Sequence, residues 1–80
     1  MTASGPIDAA IGQRVRELRI ERHMSQERFG ELVGVTFQQI QKYEKGKDRV
    51  SVSTMLKMSQ ALGVLPSSIC DIDMASEEGD

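Results

Sequence analysis

Between Ser25 and Gly46 the chain spells two short helices in succession, with only Gly34 and Val35 between the first and the cap of the second. Met24-Ser25-Gln26-Glu27-Arg28-Phe29 reads as a helix start. Ser25 offers an oxygen to the free N–H groups of the first turn, Glu27 suits the positive helix end, and Met24 and Phe29 fall at the two positions of a hydrophobic staple. Gly34 is the residue type that tolerates the left-handed conformation of a helix stop. The syntax then repeats. Thr36 caps, Gln39 stands three residues on as its capping-box partner, and Val35 with Ile40 makes the staple. Lys42 and Lys45 suit the negative end, and Gly46 closes the helix. So tight a link leaves the two helices no room to lie antiparallel, and they must cross at a steep angle.

The flanking sequence extends the same pattern. An element beginning near Ile7 or Asp8 carries Ile7, Ile11, Val15, Leu18 and Arg22 on one face at helical spacing. A fourth helix starts at Ser51, with Val50 and Met55 as its staple, and runs to Gly63. Its expected apolar face is Val52, Met55, Leu56 and Leu62. A short fifth element follows Pro66, with Ile69, Cys70 and Ile72 as apolar positions. No period-2 alternation or hairpin dipeptide suggests a strand, so the expectation is a compact all-α domain of five helices. The chain divides into a flexible start (1–6), this body (7–70), and an acidic C-terminal tail (71–80) too polar to fold alone. The tail is read as a solubilising disordered end, or as a charge mimic competing with nucleic acid for a basic patch.

Composition removes several function classes. Eighty residues make one small domain with little material for a deep active site. No nucleophile–base pair, carboxylate dyad or phosphate loop can be assembled, so no catalytic residue is expected. One cysteine, Cys70, and one histidine, His23, do not make a metal site, and no cofactor is implied. Cys70 is read as a small hydrophobe of the fifth helix, or as a thiol sensor at a subunit contact. No apolar run approaches the roughly 18 residues of a membrane span, and the start has no signal-peptide pattern, so a cytoplasmic location is expected. The net charge of −2 conceals an asymmetry. Five of the twelve acids lie from Asp71 onward with no base among them, leaving ten bases against seven acids before that point. Lys42, Lys45, Lys47 and Arg49 fall within eight positions and form a local basic patch.

The second helix of the central pair is polar on one side. Ile40 and Tyr43 anchor it inward, while Gln38, Gln41, Lys42 and Lys45 at i, i+3, i+4 and i+7 share the exposed face. These residue types fit base edges. Glutamine offers a donor and an acceptor together and pairs with adenine N6 and N7, and lysine donates to guanine or to phosphate. Phe37, at the helix start, can lie against a thymine methyl. Lys47 and Arg49 are placed for phosphates, as are the backbone N–H groups at the starts of the second and fourth helices, the latter at Ser51.

Ser25-Gln26-Glu27, Gly34-Val35-Thr36, Ile40 and Tyr43-Glu44-Lys45-Gly46-Lys47, taken in order, resemble the helix-turn-helix domain of lambdoid phage repressors and Cro proteins, the Xre-like family. Val15-Arg16-Glu17-Leu18-Arg19 before them, and Thr54 to Met58 and Ala61 to Val64 after them, extend the likeness over residues 11 to about 70. The resemblance implies a lambda-repressor-like five-helix domain whose third helix (about 36–44) enters the major groove. It places Gln26 on a phosphate, and Thr36, Phe37, Gln38 and Lys42 where the family reads bases, with Gln41 a further candidate. It pairs Arg19 with Glu44 as a structural ion pair. His23 stands where the family usually has glycine, and it is read as a cap or surface residue.

The expected function is therefore that of a sequence-specific regulator of transcription, bacterial or phage in origin. It would repress by occupying a partly palindromic site on double-stranded DNA as a homodimer. Ile69, Cys70 and Ile72 are the candidate contact between copies. The alternative is an antitoxin-like module whose main partner is a protein such as a toxin.

Overall fold

A computed structural model describes residues 5–72. They form five helices: α1 (Pro6–Glu21), α2 (Gln26–Val33), α3 (Phe37–Glu44), α4 (Val52–Leu62) and α5 (Pro66–Ile69). There is no strand among the described residues. The acidic tail from Asp73 onward lies outside them.

The helix boundaries follow from caps written into the sequence. Ser25, Thr36 and Ser51 each hold the extended conformation of an N-cap. Their hydroxyl oxygens accept from the N–H of Arg28 at 2.9 Å, Gln39 at 3.1 Å and Thr54 at 3.2 Å. Each bond satisfies one donor of a helix's first turn, typically worth about 1 kcal/mol. Gly34 and Gly63 end α2 and α4 at φ 94° and 71°, in the left-handed region. Pro6 fills the first position of α1, one residue ahead of the expected start, and Asp8 accepts from the Gly5 N–H at 3.2 Å.

The end of α1 carries the one departure from glycine. His23 has φ 55°, the sole non-glycine residue in the left-handed region among the described residues, and it is solvent-exposed. Its N–H donates to the Ile20 carbonyl at 2.9 Å. It ends the first helix as a surface residue in a conformation that glycine would take without strain.

Val15, Leu18, Phe29, Val33, Ile40, Met58, Leu62 and Ile69 make the core, so every helix contributes to it. The staple residues Met24, Val35, Val50 and Met55 pack around this cluster. Phe29 is the only aromatic side chain at its centre, as the scarcity of aromatics requires.

Four side-chain assignments change. On α1 the inward stripe is Gly12, Val15, Leu18 and Arg19, while Ile7 is exposed at the helix start. On α4 it is Met55, Met58, Ser59 and Leu62, and the expected members Val52 and Leu56 point outward. A one-sided helix buries about one stripe, and α4 carries more apolar residues than that stripe holds. Gln39 does not close a capping box; its side chain instead reaches the following loop, where its Nε2 donates to Asp48 Oδ2 at 2.9 Å. Finally, Cys70 is exposed at the end of α5, with its Sγ 3.3 Å from Met55 Sδ.

Two glycines let helices approach more closely than any side chain would permit. A Cβ on Gly12 would stand 2.1 Å from the Tyr43 carbonyl oxygen, so α1 passes directly over the end of α3. A Cβ on Gly30 would stand 2.7 Å from the Val35 carbonyl oxygen, which lets the turn fold back onto α2.

Candidate nucleic-acid interface

The α2–turn–α3 unit is built from its first residue onward. Ser25 starts α2, Gly34 stops it, and the Gly30 carbonyl accepts both the Gly34 and Val35 N–H groups at 2.7 and 2.9 Å. Thr36 then starts α3 at once. With three residues in the link, the orientation of α3 is fixed by what its inner face touches. Ile40 is fully buried, Tyr43 packs against the core, and Glu44 lies buried at the helix end.

Glu44 is held in a two-point grip. Arg19 Nε meets Glu44 Oε2 at 2.6 Å, and Arg19 Nη2 meets Oε1 at 3.0 Å. Arg19 Nη1 also donates to the Met24 carbonyl at 2.7 Å, so one guanidinium joins α1, the α1–α2 turn and α3. The ion pair expected from Arg19 and Glu44 is present, with the residues 8% and 6% exposed. Two parallel N–H···O bonds fix direction as well as distance, which a single point charge would not.

The outer face of α3 carries the expected readers. Thr36, Phe37, Gln38 and Lys42 are exposed and Gln41 is half-buried. Lys45 and Lys47 follow, both exposed. Thr36 has its hydroxyl oxygen committed to the cap of α3, so any base contact it makes shares that atom. Phe37 is 37% exposed and sits at the first position of α3 beside Glu27, Glu31 and Gln38, in a shallow open groove.

The residues expected at phosphates are arranged less uniformly. Arg49 Nε lies 3.4 Å from Asp8 Oδ2, so this arginine already has an acidic neighbour. Ser51 Oγ caps α4 and lies 3.0 Å from Thr54 Oγ1, to which it donates. Gln26, at the first position of α2, turns inward: its Nε2 donates to Glu44 Oε1 at 3.0 Å. Its Oε1 accepts from Gln41 Nε2 at 3.2 Å. Sequence reading missed this link, since helical spacing reports neighbours on one helix and this bond crosses from α2 to α3.

The candidate contact between copies is altered by burial. Ile69 is fully inside the core and has no surface to offer, which leaves Cys70 and Ile72 of the original three. Val52 and Leu65, 74% and 71% exposed, are the largest apolar surfaces nearby along α4 and at the start of α5.

Five helices with a capped α2–turn–α3 unit and a polar, cationic outer face define a lambda-repressor-like DNA-binding domain of the kind found in regulators of transcription. The chain belongs to the helix-turn-helix family, whose sequence profile matches residues 15–69. It is 52% identical over 61 residues to an uncharacterized HTH-type transcriptional regulator of Sinorhizobium fredii, covering 76% of this chain and 43% of that protein. The chain thus spans less than half the length of that relative. Among solved structures it is similar to the restriction-modification controller protein C.AhdI of Aeromonas hydrophila, with 34% identity and a TM-score of 0.74, covering 76% of this chain and 92% of that one. It is also similar to the P22 c2 repressor, solved with a synthetic operator, with 27% identity and a TM-score of 0.72, covering 79% and 96% of the two chains. No helix among the described residues is long and apolar enough to cross a membrane.

Proposed function

We propose that this chain reads a specific sequence in double-stranded DNA and represses transcription by occupying it, with α3 in the major groove. The observation that carries the reading is the division of α3 into two faces. Ile40 and Glu44 lock it inward, while Gln38, Lys42 and Lys45 line the outside with Gln41 half-buried beside them. An exposed helix rich in amides and amines matches the donors and acceptors of base edges. The likeness to the P22 c2 repressor, solved in complex with a synthetic operator, supports DNA as the ligand.

In this reading Thr36, Phe37, Gln38, Gln41 and Lys42 meet bases. Lys45, Lys47, Arg49, Gln26 and the start of α4 at Ser51 meet phosphates. Phosphate contacts supply much of the affinity, and base contacts choose the site. Two copies would present recognition helices to successive major grooves about 34 Å apart, which calls for a partly palindromic site. The apolar residues exposed at Val52, Leu56 and Leu65, with Cys70 and Ile72, form the surface for the second copy.

Selection of the purified chain against a random duplex library at fixed physiological salt tests this. The expected result is an enriched motif with two half-sites about 10 base pairs apart, centre to centre. Enrichment of a lone half-site refutes the dimer. Salt-sensitive binding with no enrichment refutes sequence-specific reading.

A further inference from the structure

Arg19, Glu44, Gln26 and Gln41 form one continuous chain of hydrogen bonds running from the buried interior to the outer face of α3. We propose that Gln26 is a positioning residue: it locks the Gln41 amide into the one orientation that favours adenine over guanine. This inference rests on α3 being the base-reading helix.

The chemistry of Glu44 dictates the orientation of both amides. An ionised carboxylate only accepts, so Gln26 must turn its NH2 group toward Glu44. That leaves Gln26 Oε1 facing Gln41, and an oxygen can only accept there, so Gln41 must turn its own NH2 group toward Gln26. Each step is a donor meeting an acceptor, at 3.0 Å and then 3.2 Å. Reversing either amide would set oxygen against oxygen. The starting point does not move, because Glu44 is buried and its Oε2 is held by Arg19 at 2.6 Å.

What remains on Gln41 is one N–H and the Oε1 atom. In the major groove adenine shows an acceptor, N7, beside a donor, N6–H2, and the two free groups of Gln41 answer both. Guanine shows two acceptors, N7 and O6. An unrestrained glutamine can turn both amide hydrogens toward them, but Gln41 has already given one to Gln26, and its Oε1 would face a guanine acceptor. Gln26 thereby narrows a side chain that is otherwise tolerant. The second hydrogen on Gln26 Nε2 stays available to a phosphate, so the two roles of this residue are compatible.

The test uses the full chain and the motif recovered by library selection. Gln41→Ala identifies the base pair that Gln41 faces, as the position where preference is lost. Adenine and guanine versions of that position are then competed against Gln26→Met, which keeps the bulk of the side chain and removes both amide bonds. The wild-type preference for adenine there is expected to be roughly 5- to 150-fold, the range for a bidentate base contact. Gln26→Met should bring it to within about threefold of parity, with preferences at the other positions unchanged. In a Gln41→Ala background the same change should alter no base preference. Thermal melts accompany each variant, and Gln26→Asn, whose shorter amide also fails to span Glu44 and Gln41, replaces Gln26→Met if that variant does not fold.

Three results overturn the inference while leaving sequence reading by α3 intact. Gln26→Met weakens every sequence equally with the adenine-to-guanine ratio unchanged, the losses from Gln26→Met and Gln41→Ala add independently, or Gln41→Ala relaxes no position. Failure of the wild-type chain to enrich any motif overturns the underlying reading as well, and is distinguished by appearing before any variant is made.

Discussion

Replacing Glu44 by alanine tests what holds α3 in place. The side chain accepts three hydrogen bonds, two from Arg19 at 2.6 and 3.0 Å and one from Gln26 at 3.0 Å. Its removal leaves Arg19, a residue 8% exposed, with one remaining partner among these for its guanidinium, the Met24 carbonyl. A buried ion pair broken on one side typically costs about 3–5 kcal/mol, because the surviving charge stays out of water without compensation. The lower end applies here, since Arg19 keeps the Met24 bond. We expect Glu44→Ala to cost about 3 kcal/mol, against a total of roughly 4–12 kcal/mol for a domain of this length. For so small a domain that corresponds to a fall in Tm of about 12–24 °C. Urea unfolding followed by circular dichroism measures it, with an unchanged slope confirming that stability rather than cooperativity has moved. The paired replacement Arg19→Met with Glu44→Leu should recover most of the loss, because no charge is then stranded. A loss under about 1 kcal/mol for Glu44→Ala would refute the reasoning, since that is the scale of a solvated surface pair. Equal losses for Glu44→Ala and the double replacement would refute the stranded-charge account specifically.

Gly12→Ala places a methyl group 2.1 Å from the Tyr43 carbonyl oxygen, so α1 must move away from α3. We expect a loss of about 1–3 kcal/mol by urea unfolding, the scale of overpacking, and a near-neutral result would show that the helices part freely. His23→Gly should raise stability by up to about 1 kcal/mol, because relief of the left-handed conformation at φ 55° slightly exceeds glycine's extra unfolded entropy. Differential scanning calorimetry reads this, and a lower Tm would mean that the histidine side chain contributes more than its backbone costs. Lys47→Ala should weaken binding about equally on the selected site and on scrambled duplex, and should lower the salt slope by about one unit in a titration series. Loss confined to the selected site would make Lys47 a base reader.

Much of the frame was legible because it depends on local chemistry. Ser25, Thr36 and Ser51 cap in the structure as their positions before apolar runs require, and Gly34 and Gly63 stop helices where only glycine is comfortable. The Arg19–Glu44 pair came from resemblance rather than spacing, since nothing in a helical period connects residues 25 positions apart. What stayed hidden was long-range in the same sense. Gln39 looked like a capping-box partner, but its amide turns to Asp48, a charged acceptor in the following loop that helical spacing does not reveal. Val52 and Leu56 looked like core because α4 is apolar on several sides, and only the placement of α1, α2 and α5 against it decides which side is covered. Gly12 carries no sequence signal of its own, as its role is defined by the Tyr43 carbonyl lying over it.

The same division bears on how so short a helix would serve as the reading head proposed for it. Eight residues are too few for α3 to be stable alone, so its conformation comes from the Thr36 cap, from Ile40 in the core and from Glu44 at its far end. Ile40 fixes where the helix lies, but an aliphatic contact is non-directional and permits rotation and sliding. The two-point contact between Arg19 and Glu44 removes those freedoms, because its bonds are short only in one register. An apolar pair of similar size would serve stability as well or better, so the value of the charged pair lies in geometry rather than in free energy of folding. The outer residues Gln38, Lys42 and Lys45 are left with little structural duty. Their identities can therefore be set by a DNA sequence without disturbing the scaffold that aims them. Gln41 is the exception: through Gln26 it is tied to the same carboxylate that orients the helix, so under the proposed reading aiming and base recognition at that position would be a single device.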